Sequence, residues 1–120
     1  MGFRENLTAI CSQLPDTRIV TLMDHDGIPI DTVTAHDPEI DVETYLVEIK
    51  AVFDQAMRSS TELATGEVSE LIIRSHKLIT LLRPLNSEYF LVLGMAPEGN
   101  AGKARYLLRL MTPRFLHELG

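Results

Sequence analysis

Three apolar runs crowd into the second half of the chain, ELIIR, LITLLRPL and YFLVLGMA, with only SHK and NSE between them. Both linkers are short enough for hairpins, whereas a parallel crossover needs a dozen or more residues. This half of the chain is therefore an antiparallel meander. Tyr89 to Met95 is apolar on both alternating faces, which puts that strand at the centre of a sheet with both sides covered. The first run, if it lies at an edge, has no proline or lysine in Leu71, Ile72 and Ile73 to discourage pairing with another strand.

The first half supplies two more strands and two helices. RIVTLMD and IPIDTV are joined through Asp26-Gly27, and Asp-Gly between strands signals a hairpin with a type I′ turn. Pro29 cannot donate a ladder hydrogen bond, so the second of these strands belongs at an edge. Ahead of them, Phe3, Leu7, Ile10, Cys11 and Leu14 recur at helical spacing until Pro15. After the loop TAHDPEI, Asp41 is the expected N-cap of a long helix reaching about Ala64, with Gly66 placed to end it. Its inward stripe is Val42, Tyr45, Leu46, Ile49, Val52, Phe53, Ala56 and Met57.

The last helix starts at Asn100 and turns Ala101, Ala104, Leu107, Leu108, Met111, Phe115 and Leu119 inward. Thr112-Pro113 predicts a kink or break within it. The order α-β-β-α-β-β-β-α, with no repeat or low-complexity tract, gives one antiparallel sheet with helices on both faces. All 120 residues, 1–120, fit a single domain.

Composition narrows the function. An apolar fraction of 45% excludes a mostly disordered chain. The net charge of −6, with Lys and Arg in no run, argues against a nucleic-acid partner. The lone Cys11 rules out an internal disulfide and suits the cytoplasm; on its helix stripe it reads as a buried structural thiol. No stretch has the length of a membrane span, so no membrane insertion is expected. MGFRENLTAI lacks the apolar core of a signal peptide, and Asn6 stands where a myristoylation signal needs Ser or Thr.

Candidate chemistry fails on spacing. Counted from Asp24 as an EF-hand loop, glycine arrives at Gly27 instead of the sixth position, and Ala35 replaces the terminal glutamate. Asp24 and Asp26 therefore shape a turn and hold no metal. GMAPEGNAGKAR resembles a phosphate loop, but Pro97 and Ala104 replace its first glycine and its hydroxyl in one register. In the other, Asn100 follows Gly99 where lysine belongs, so a loop leading into a helix is the better account. His25, His36, His76 and His117 make no zinc spacing, and no serine sits in a nucleophile elbow. No catalytic, cofactor or metal residue is assigned, and no enzyme is expected.

Apolar surface points to self-association. Opposite its core stripe the long helix carries Thr44, Val47, Ala51, Asp54 and Arg58. Val47 and Ala51 are small, apolar and four apart, which lets a second helix approach closely. With the unguarded edge at Leu71, Ile72 and Ile73 they form the expected interface.

The pattern resembles the Roadblock/dynein light chain domain family over about Phe3 to Leu119. LMDHDGIPI is similar to the family's strand-Asp-x-Asp-Gly-strand hairpin, LLRPLNSEYFLVLGMAP to its last two strands, and NAGKARYLLRL to its final helix with Gly-Lys-x-Arg. The resemblance implies a profilin-like α+β sandwich, a five-stranded antiparallel sheet with the long helix on one face and the two terminal helices on the other. It implies a homodimer joined by the long helices and the third strands, and binding to Ras-like small GTPases without catalysis. Bacterial gliding-motility GTPase-activating subunits, lysosomal scaffolds and dynein light chains are the family's settings. Arg58 and Arg74 are the partner contacts it suggests, neither with a catalytic role. The gliding-motility subunits have an extended tail after the final helix that this chain does not show, so tail-dependent functions are not expected. The alternatives are a PAS/GAF-like small-molecule sensor, which needs a cavity with inward polar groups, and a light-chain-type structural adaptor. In the strands only Thr21 and Thr80 stand out as polar, which favours a filled core.

Overall fold

In the computed structural model, which describes residues 2–35 and 39–120, the elements follow the predicted order. They are α1 (Phe3–Gln13), β1 (Thr17–Asp24), β2 (Pro29–Thr34), α2 (Val42–Glu62), β3 (Leu71–Arg74), β4 (Ile79–Pro84), β5 (Tyr89–Met95) and α3 (Ala101–Leu119). His36 lies outside the described residues. The strands form one antiparallel sheet in the order β2-β1-β5-β4-β3. β5 is central, and the strands at the two edges are those expected from Pro29 and from the first run of the meander.

Alternation along the strands divides the core into two layers. Val20, Leu22, Leu81, Leu91 and Leu93 pack with Leu7 and Ile10 of α1 and with Leu107, Leu108 and Phe115 of α3. From the other face Ile19, Met23, Leu82, Phe90 and Val92 meet Leu46, Ile49 and Phe53 of α2. Phe53 and Phe90 lie tilted with ring centroids 4.9 Å apart. One long helix thus covers one face, and the two terminal helices cover the other.

Several local expectations need correction. The β1–β2 connection is a three-residue loop, not a type I′ turn: Gly27 has φ 85°, and Asp26 is not among the positive-φ residues. The Asp24 amide donates to the Ile28 carbonyl, and the Gly27 amide to the Asp24 carbonyl, both at 3.0 Å. This closes a loop with glycine in the left-handed region. The Asp24 carboxylate accepts the amides of Asp26 and Ile28 at 2.9 and 3.0 Å, which holds the longer loop together.

α2 stops at Glu62, and its terminal residue in the left-handed region is Ala64, at φ 55°. The Ala64 amide donates to the Thr61 carbonyl and the Thr65 amide to the Ser60 carbonyl, the two bonds of a Schellman terminus. Gly66 comes two residues too late to cap it. Asp41 occupies the N-cap, but its carboxylate accepts the Thr44 hydroxyl at 2.9 Å and caps no amide.

α3 is not broken at Thr112-Pro113 and runs on to Leu119. Pro113 is exposed, and the carbonyl it leaves unbonded and crowds is that of Arg109, itself an exposed residue. Cys11 is half-buried, where full burial was expected. Burial nonetheless pushes its thiol pKa up, in keeping with an unreactive residue. Val52 and Met57, expected inside, are 42% and 38% exposed, because the predicted stripe of α2 spans a wider arc than the sheet can cover.

Candidate self-association face

The edge comes first. β3 pairs with β4 from Leu71↔Leu82 to Arg74↔Ile79, and among the described residues no strand lies on its other side. Leu71 and Ile73 are half-buried and pack into the core layer beneath α2, while Ile72 and Arg74 are exposed. The outer side of this strand presents backbone donors and acceptors beside apolar side chains, the chemistry of a strand open to pairing.

Two contacts fix how α2 is turned above the sheet. The Tyr45 hydroxyl hydrogen-bonds Thr80 of β4 at 2.9 Å. On the opposite flank, a Cβ added at Gly27 in the β1–β2 loop would lie 3.3 Å from Lys50 Cγ. At about 100° per residue, Glu48, Val52 and Ser59 share the Tyr45 flank, which looks toward β4 and β3. Val47 and Asp54 share the Lys50 flank, and Asp54 is bound there to Lys50 at 2.7 Å. Thr44, Ala51 and Arg58 line the crest and are exposed, as is Val47 at 61%. Arg58 donates to the Gln55 side chain at 2.9 Å.

The structure therefore leaves Thr44, Ala51 and Arg58 on the crest of α2, pointing away from the sheet, and turns Val47 and Asp54 to the flank away from the β3 edge. It adds Val52, which sequence reasoning had assigned to the core. Its position on the wheel, at the margin of the apolar stripe, was the available signal.

Below the C-terminal half of α2 lies a cleft of about 610 Å³, lined by residues that include Lys50, Phe53, Met57, Val68, Leu85 and Phe90. Of the buried strand hydroxyls, Thr21 bonds Thr32 at 3.1 Å and Thr80 bonds Tyr45, while Thr17 has no partner among the described residues, and none of the three lines the cleft. Among the described residues no group of His, Cys, Asp or Glu could hold a metal ion, and no helix is long and apolar enough to cross a membrane.

The same architecture occurs in solved structures. The Roadblock/LC7 domain from Streptomyces avermitilis superposes with a TM-score of 0.86 at 11% identity, covering 99% of this chain and 98% of that one. MglC from Myxococcus xanthus is 34% identical over 98% of this chain and 99% of its own, with a TM-score of 0.71. The chain belongs to the Roadblock/LC7 family. Another structure sharing the Roadblock/LC7 fold is the gliding protein MglB from Thermus thermophilus, with a TM-score of 0.85 at 13% identity over 96% of this chain and 86% of that one. No protein-family profile and no curated protein matches the chain. Its Roadblock/LC7 membership accounts for the sheet order and for the division of helices between the faces.

Proposed function

We propose that this Roadblock/LC7 chain is a non-enzymatic, homodimeric regulator or scaffold of a Ras-like small GTPase. The observation that carries the self-association is the bare β3 edge lying beside an exposed α2 crest. Pairing two β3 strands makes one continuous sheet and sets two α2 helices side by side, covering Ala51 and Val52 of each. An MglB structure described as having a tetrameric arrangement supports association within this fold. The GTPase enters from the family resemblance. Arg58 on the crest and Arg74 at the end of β3 are the exposed cations we assign to partner contact. A cytoplasmic location goes with this reading.

The test is molar mass in solution by size-exclusion chromatography with light scattering, followed by binding to the host's small GTPases. A dimer that binds one of them and changes its hydrolysis rate, or holds it without changing the rate, supports the reading. A monomer at all concentrations removes the interface.

The cleft beneath α2 gives a second reading, a small-molecule sensor. Native mass spectrometry of the purified chain tests it, and a co-purified ligand is its expected signature.

A further inference from the structure

The outward face of α3 differs in charge from the rest of the molecule. That helix holds Lys103, Arg105, Arg109 and Arg114, four of the chain's eleven Lys and Arg, against Glu118 alone of its seventeen Asp and Glu. Arg105 is engaged by the Glu70 carboxylate through Nε and Nη2. The side chains of Lys103, Arg109 and Arg114 are exposed and bond no other described residue.

Between these cations stand Tyr106 and Leu110, each 56% exposed. They are one turn apart, so their side chains adjoin and make a single apolar spot. The spot is on the side of α3 opposite the buried Ala104, Leu108, Met111 and Phe115. Tyrosine and leucine ringed by free cations can anchor apolar side chains while selecting for negative charge around them.

We propose that this face docks an acidic protein segment bearing leucine or aromatic side chains. The apolar side chains of the segment cover Tyr106 and Leu110, and its carboxylates meet Lys103, Arg109 and Arg114. Charge decides for a protein segment over a membrane or a nucleic acid. A lipid surface or a duplex presents a broad negative field to the whole body, whose net charge is −6. A short segment feels chiefly the charges within about 8 Å at physiological salt; beside Tyr106 and Leu110 those are Lys103, Arg109 and Arg114, with Glu5 and Glu118 entering only at the far end, next to Arg114. The face lies on the other side of the sheet from α2, so the proposal stands whether or not the chain dimerises.

The experiment is a titration of the isotope-labelled full chain with a synthetic amphipathic peptide of glutamate and leucine, followed by amide resonances. Shifts clustered from Lys103 to Arg114 are expected. The double variant Lys103→Glu/Arg109→Glu should weaken binding about tenfold or more, and Leu110→Ser about threefold or more. All three substitutions are on the surface, so amide spectra away from α3 should match the parent chain. The proposal is overturned if no shifts occur, if they cluster elsewhere, or if Leu110→Ser binds as well as the parent. It is equally overturned if phosphatidylserine vesicles or a DNA duplex bind the chain and the peptide does not.

Discussion

Tyr45 reaches from α2 to the sheet through a gap that only glycine leaves open. A Cβ at Gly94 would lie 2.9 Å from Ile19 Cγ2 and 3.0 Å from the Tyr45 hydroxyl. Ile19 is fully buried and has nowhere to go. Gly94→Ala should therefore cost about 1–3 kcal/mol in urea unfolding, despite alanine's smaller loss of backbone entropy. A variant as stable as the parent would show that the helix can lift at no cost.

Burial pushes the Tyr45 pKa up to about 12, against a smaller opposing pull from the Thr80 hydrogen bond. Its unfolded value is about 10, so the contribution to stability is complete below pH 10 and is lost as pH rises toward 12. Unfolding measured across that window should show stability falling, and Tyr45→Phe should flatten the fall. At neutral pH the same substitution leaves the Thr80 hydroxyl unpaired and should cost about 1 kcal/mol. Tyr45 was legible in the sequence as an inward residue. Its partner was not, because Thr80 is 35 positions away and meets it only once helix and sheet have packed.

The elements were readable from the sequence because each has a strong local signal: continuous apolar runs bounded by short polar linkers in β4 and β5, and a 3.6-residue stripe in α1 and α3. Their ends were less readable. Asp26-Gly27 marks a turn, but the loop gains a residue because the Asp24 side chain takes two amides. Gly66 looks like a helix stop, yet α2 ends on Ala64, with alanine in a conformation that suits glycine. Ala64→Gly should stabilise the chain by about 0.5–1 kcal/mol, read as a higher thermal midpoint. No gain would mean that neighbouring contacts, and not the backbone, carry the cost.

The interface face of α2 was half-legible for a similar reason. Periodicity separates its inner face from its outer one, but not which flank overlooks the open edge. A glutamate scan makes the distinction. Ala51→Glu and Val52→Glu should turn the proposed dimer into monomer, while Val47→Glu, on the flank beside Lys50, should leave it intact. Light scattering on the three variants reads the result, and dissociation by Val47→Glu alone would place the contact on the wrong flank.

At the scale of the whole molecule, a net charge and a count of basic runs concealed the distribution that matters. Lys103, Arg109 and Arg114 are scattered in the sequence, and helical winding gathers them on one face of an otherwise acidic body. The sheet gathers distant parts of the chain even more strongly. β1 bonds to β5 from Thr17↔Met95 to Asp24↔Tyr89, so the middle of the sheet joins the first strand of the chain to the last. A growing chain emerges with β1 and β2 long before β5 exists, and its largest core layer cannot close until synthesis is nearly complete. Refolding should accordingly be limited by a long loop closure. A chain cut anywhere before Tyr89 leaves Val20, Leu22 and Met23 without their partners, and is a substrate for chaperones and aggregation, not a smaller version of the domain.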